Sequence, residues 1–273
     1  MKIGEILSKA TETLFSKLGK AILTIIAYLL IAFAIGLLNI IPIVGMIAMY
    51  VLLIPILFGF TKQFIKIYNN DEVKAFDFLH LGFEKFGMAW RVTGRLIIKY
   101  LGAIIVMTIA YVIMGAGILA GSAGIIGMNS EVTAAGGVAT VIGSILVLIS
   151  AIWCLILSLK YAFAYNELAY NDNATTGKEI VETVAKNMEG NKGKLVGLYL
   201  VLFIILLVLS FLMAIPVLGL IIAIAILILL APFMQFVMIA FYDGIRNEKM
   251  PKVEVVENIE YNNNNEPQDP IQM

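Results

Sequence analysis

Asn39-Ile40-Ile41-Pro42-Ile43-Val44-Gly45 lies in the middle of Ala21–Thr61, a stretch with no Asp, Glu, Lys, Arg or His. As one helix of roughly 40 residues that stretch would run about 60 Å, twice the ~30 Å hydrocarbon thickness of a bilayer. The chain must therefore fold back, and Pro42 and Gly45 mark the place. Proline removes a helix donor, and glycine admits turn conformations. Ala21–Thr61 is thus read as two membrane-spanning helices joined by a turn.

The same reading extends along the chain. Three further stretches lack Asp, Glu, Lys, Arg and His: Tyr100–Ser130, Val132–Leu159 and Leu195–Tyr242. The last is again long enough for two crossings of roughly 20 residues each. It breaks at Ile215-Pro216-Val217-Leu218-Gly219, so Pro216 and Gly219 are expected at a second turn. The two middle stretches make one span each, with a Gly-, Ser- and Ala-rich connector expected over Gly121–Gly137. The result is an all-α integral membrane protein with six transmembrane helices in three hairpins, at about 21–61, 96–160 and 195–242. Composition agrees: 61% of residues are hydrophobic and 14% charged, against about 25% charged in soluble domains. The first apolar stretch is far longer than a signal-peptide core, and it reads as a span. The single membrane domain is expected over residues 1–249, and the polar, Asn-rich 250–273 is expected to be a disordered cytoplasmic tail.

Charge fixes the sidedness. All 19 Lys and Arg residues fall on one side of the six-span scheme, and the connectors on the other side hold only Glu131. Basic residues collect in cytoplasmic loops, so both termini are expected in the cytoplasm. Each cytoplasmic segment also carries apolar residues at helical spacing ahead of its hairpin. Ile6, Leu7, Ala10 and Leu14 form one stripe. Val73, Phe76, Phe78, Leu79, Phe83 and Phe86 form a less regular second. Ile180, Val181, Val184 and Met188 form the third, opened by a capping box at Thr176–Glu179 and closed at Gly190. Such helices either lie in the headgroup layer or pack under the bundle.

Sliding the chain along itself until Glu5-Ile6 meets Glu179-Ile180 aligns its two ends. At that single shift Gly19-Lys20 meets Gly193-Lys194, Ile41-Pro42 meets Ile215-Pro216, and Gly45 meets Gly219. After a three-residue adjustment, Leu52–Pro55 meets Leu229–Pro232. The polar and turn positions make this informative, because apolar matches are uninformative in a membrane protein. The first and last hairpins read as a parallel internal repeat, unlike the inverted repeats of many secondary transporters.

Chemistry is sparse. The four long runs hold no Asp, Glu, Lys, Arg or His, and such groups mark most intramembrane sites. One histidine, His80, and one cysteine, Cys154, leave no ordinary metal-ligand set. No catalytic residue, metal or cofactor is expected, and the chain is read as a non-enzyme. Gly117 and Gly121 read as a helix-packing pair. Arg91, Arg95 and Lys99, four residues apart, form a basic stripe. They are candidates for lipid headgroups or ordinary interfacial anchors. Lys160, Tyr161, Tyr165, Glu167 and Asp172 form the densest polar patch near a span. They are a candidate partner or ligand site, or an aromatic belt.

Several short motifs point to a family. They are Tyr161-Ala162, Asn171-Asp172-Asn173, Met188-Glu189-Gly190-Asn191-Lys192, Pro232 and Phe241-Tyr242, with looser likeness at Gly19-Lys20-Ala21 and Asp71–Phe86. In these the chain resembles the bacterial integral membrane proteins labelled domain of unknown function 975. Ala174 stands where that pattern expects a proline-like turn. The resemblance implies a bacterial plasma membrane protein without an established activity. The expected function is a non-catalytic binding or accessory membrane protein, acting on a lipid, a protein partner or a membrane-active peptide. The alternative is a transporter or channel for a small or lipid-like solute. Expected partners are membrane lipids, with a membrane-protein partner or a second copy of the chain left open. A net charge of zero argues against nucleic acid.

Overall fold

The computed structural model describes residues 2–41, 43–212 and 218–249. Pro42 and Pro216, and the tail at 250–273, lie outside the described residues. Those described are mostly helical, with no strand among them. The elements are α1 (Ile3–Ser16), α2 (Leu18–Leu37), a 3₁₀ turn (Leu38–Ile40), α3 (Val44–Tyr68), α4 (Asp77–Glu84) and α5 (Phe86–Ile126). They continue with α6 (Ser130–Tyr161), α7 (Ala164–Tyr170), α8 (Gly177–Asn187), α9 (Lys192–Leu212) and α10 (Leu218–Lys249). Six helices are long and apolar enough to cross a membrane: α2, α3, α5, α6 with its extension into α7, α9 and α10. This is the architecture of a multi-pass, membrane-embedded protein.

The core sits at the charged end of the bundle. In α2 burial falls mainly on Ala21, Thr24 and Ala27, in α3 on residues 56–67, in α9 on Leu195, Leu198 and Leu202, and in α10 on 236–245. The remainders of α2 and α9 expose Leu30, Phe33, Phe203 and Phe211. Helices α3 and α10 are the central ones: 39% and 44% of their span windows are buried, against 11–17% in the other four. Two short helices close this end. α1 buries Ile6, Ala10 and Leu14 against α10, and α8 buries Ile180, Val181 and Val184 against α5 and its neighbours. At the head of α8, Thr176 Oγ1 accepts from the Glu179 N–H at 3.2 Å, while Glu179 Oε2 accepts from the Thr175 N–H at 3.3 Å. Gly190 follows that helix at φ +81°, where a side chain would be strained.

Three expectations are corrected. The Gly-rich connector is mostly helix, because α5 continues to Ile126 and α6 begins at Ser130. The reason is packing: the two helices run antiparallel with glycines at their seam. A Cβ on Gly117 would lie 2.5 Å from the Thr140 nitrogen, and one on Gly136 would lie 2.2 Å from the Gly121 nitrogen. The expected turn glycines, Gly45 and Gly219, lie inside α3 and α10 and are buried. The second apolar stripe divides differently. Phe78, Leu81 and Gly82 face inward, while Phe76 and Phe83 are exposed. A glycine contact sets this face: a Cβ on Gly59 would lie 1.9 Å from the Phe78 carbonyl oxygen, and one on Gly82 would lie 2.2 Å from that of Pro55. α4 therefore lies directly on the backbone of α3.

Candidate functional site

The basic stripe opens onto a cavity. Gly177, the first residue of α8, abuts α5 so closely that its Cβ would lie 2.6 Å from the Arg91 carbonyl carbon. That contact brings Thr175, Thr176, Gly177 and Lys178 beside Arg91, Gly94, Arg95 and Ile98, around a cavity of about 440 Å³. Arg91 and Arg95 are exposed and have no acidic partner among the described residues. Lys178 has a loose partner in Glu182 at 3.7 Å. Lys99 is exposed on the same helix and does not line the cavity. The arrangement joins two unneutralised guanidinium groups and an ammonium to an exposed apolar side chain, Ile98, a setting suited to an anion attached to hydrocarbon.

The second candidate patch does not form one surface. Glu167 is only 3% exposed and points into the bundle, where Tyr242 donates its hydroxyl proton to Glu167 Oε2 at 2.7 Å. Asn187 Nδ2 donates to the same tyrosine oxygen at 3.2 Å, and Asn191 Nδ2 donates to the Asn187 carbonyl at 3.1 Å. Arg246 Nε stands 3.6 Å from Glu167 Oε2, and its guanidinium lies 4.9 Å over the Tyr170 ring. Asp172 remains exposed but is engaged by Lys62 Nζ at 2.7 Å, and its carbonyl accepts from Lys85 Nζ at 3.0 Å. Tyr165 shares a 2.7 Å hydrogen bond with Thr93. Lys160 lies over the ring of buried Tyr161. The patch thus divides into a buried polar knot and separate ties between helices.

Sequence reasoning missed the rest of the knot. Lys9 of α1 reaches Asp243 at 3.5 Å and lies 4.8 Å over the Tyr68 ring. Burial opposes the charge on Lys9, but the Tyr68 hydroxyl and the Asp243 carboxylate outweigh it and hold its pKa above the ordinary lysine value. A folded-state pKa raised in this way adds stability at neutral pH, lost only as pH rises through the strongly alkaline range. Tyr170 keeps a buried hydroxyl without a hydrogen-bond partner. The knot ties α1, α3, α7, α8 and α10 together at one end of the bundle. Among the described residues no three His, Cys, Asp or Glu side chains converge as a metal site. His80 and Cys154 stand apart, on α4 and α6 respectively.

No protein-family model matches the chain, and no curated protein and no solved structure matches it.

Proposed function

We propose that the chain is a non-catalytic plasma membrane protein that binds anionic lipid at its cytoplasmic face. The observation that carries this reading is the cavity between Arg91, Arg95 and Lys178, where two guanidinium groups lack any protein counter-charge among the described residues. A basic residue near an anionic headgroup contributes about 1 kcal/mol. Removing both arginines together is therefore expected to cost about 2 kcal/mol, roughly 30-fold in affinity. Native mass spectrometry of detergent-purified protein, titrated with phosphatidylglycerol, measures this. Arg91→Ala/Arg95→Ala should need about 30-fold more lipid than wild type for half-occupancy. Equal occupancy of the two proteins would refute the site.

The arrangement proposed around this site is three hairpins with both termini cytoplasmic, supported by the charge partition. A cysteine at Glu131 is expected to react with an impermeant maleimide from outside intact cells, and one at Asp172 is not. The opposite labelling pattern overturns the orientation.

The repeat of the first and last hairpins also belongs to this reading. Helices α1 and α8 begin at Ile3 and Gly177, and α2 and α9 begin at Leu18 and Lys192. Both pairs of starts are related by the shift that puts Glu5 on Glu179. Cavities recur at matching positions. Tyr28, Ala32, Ile35, Met49, Leu53 and Ile56 line a small one between α2 and α3. Leu202, Leu206, Leu209, Ile226, Leu230 and Phe233 line one of about 310 Å³ between α9 and α10. Taken in order, the first three pairs obey the shift of Glu5 onto Glu179, and the last three obey the adjusted shift of Pro55 onto Pro232. Kinship with the bacterial family labelled domain of unknown function 975 remains part of the proposal, resting on the short motifs. A second reading, a carrier for a lipid-like solute, draws on the wholly apolar cavity between α9 and α10.

A further inference from the structure

A different cavity, of about 380 Å³, lies between α2, α3, α7 and α10, and its walls are apolar except at Tyr28, Thr61, Tyr165 and Gln235. Two of these polar groups are well inside the membrane. Tyr28 lies seven residues past Ala21, where the first uncharged stretch begins, and Gln235 lies seven residues before Tyr242, where the last one ends. At 1.5 Å per residue both are about 10 Å below the charged boundary. Thr61 and Tyr165 stand nearer that boundary and are already engaged, Thr61 with the Leu57 carbonyl at 3.0 Å and Tyr165 with Thr93. The Gln235 carboxamide and the Tyr28 hydroxyl make no hydrogen bond to any described residue. Neither is sealed in the protein interior; both residues line this cavity, and Tyr28 also lines the smaller one between α2 and α3.

An amide with two donors and an acceptor is costly to leave unmet in hydrocarbon. No charged side chain lines the cavity, so a phosphate or carboxylate brought to this depth would have no counter-charge. We propose that this cavity binds a neutral lipid whose head carries hydroxyl or carbonyl oxygens, held by Gln235 and Tyr28, with its tail leaving past Ile25 and Leu29 into the bilayer. A diacylglycerol and a prenyl quinone both present this chemistry. The site depends on the chain being embedded in a membrane and shares no lining residue with the arginine cavity, which lies between α5 and the start of α8.

The test uses full-length protein in phosphatidylcholine nanodiscs and a photoactivatable diacylglycerol. Labelling is expected to saturate, to map to α2 and α10, and to fall at least tenfold in Gln235→Leu/Tyr28→Phe. The same variant should keep wild-type helicity and wild-type retention of phosphatidylglycerol, so failure here and failure of the headgroup site are told apart. In the wild-type protein, excess unlabelled diacylglycerol should compete and excess hexadecane should not. Competition by a prenyl quinone that exceeds competition by diacylglycerol keeps the site and identifies the quinone as the source. Labelling that never saturates, or that hexadecane suppresses equally, overturns the proposal.

Discussion

Gly136→Ala is expected to destabilise the bundle by about 2–3 kcal/mol, while Gly137→Ala, one residue along the same helix, is expected to stabilise it by about 0.5–1 kcal/mol. The two substitutions add the same methyl group and differ only in what it meets. At 136 the new carbon would lie 2.2 Å from the Gly121 nitrogen, 2.6 Å from the Gly121 Cα and 2.7 Å from the Gly117 oxygen. These are all backbone atoms, so no side chain can rotate away and the helices themselves must separate. Separation would be felt along the seam, at Gly124 against Thr133, Gly143 against Met114 and Gly102 against Trp153. At 137 nothing lies within 4 Å, and only the helix preference for alanine over glycine remains. Unfolding midpoints in detergent, followed by helicity, measure both. Equal midpoints for the two variants would mean that α5 and α6 do not share this seam.

The same glycines explain one way the sequence misleads. Between Gly121 and Gly137 glycine, serine and alanine dominate, and intrinsic propensity reads such a stretch as a connector. Tertiary packing overrides propensity here, because only small residues let two backbones approach this closely. A single chain read by itself names no partner for Gly59 or Gly82 either, although each is pressed against the other's helix. What was legible depended on bulk physics: the length of uncharged runs against bilayer thickness, and the stripes Ile6-Ala10-Leu14 and Ile180-Val184. Ile6, Ala10 and Leu14 are buried and Leu7 is half-buried, and Ile180, Val181, Val184 and Met188 are all buried. The polar patch was less legible for a geometric reason. Lys160 and Glu167 would share a face on one continuous helix, but the helix is interrupted at 162–163, between α6 and α7, which turns Glu167 inward. Its hydrogen-bond partner Tyr242 lies 75 residues away, with no local signal to connect them. Gln235 escaped notice because ionisable groups are the usual markers of intramembrane sites, and an amide carries no charge.

Arg246→Ala is expected to cost about 3 kcal/mol, and much of that loss is expected to disappear when Glu167 is also changed to Gln. The size of the effect follows from what each group leaves behind. Glu167 is nearly inaccessible to solvent, and its Oε2 is served by the Tyr242 hydroxyl and the Arg246 guanidinium. Removing the arginine strands a buried carboxylate, and breaking one side of such a pair typically costs about 3–5 kcal/mol. The lower end applies because Arg246 keeps 20% of its side chain exposed and the contact is 3.6 Å rather than bidentate. Glu167→Gln removes the charge while keeping an oxygen for Tyr242, so the double variant should be about 1–2 kcal/mol more stable than the sum of the single losses implies. Tyr242→Phe should cost about 2 kcal/mol on its own, since it removes a hydrogen bond to a charged acceptor and leaves Asn187 Nδ2 without its oxygen. The cycle is read from unfolding midpoints in detergent. Strict additivity of Arg246→Ala and Glu167→Gln would show that the two side chains are not coupled. The charged end would then be held by its apolar packing alone, around Phe163, Phe241 and Tyr242, where the Phe163 ring lies within 5.5 Å of the other two across α7 and α10. Coupling of the expected size would instead make the knot the joint through which α1, α7, α8 and α10 are fixed, and with them the walls of both lipid cavities.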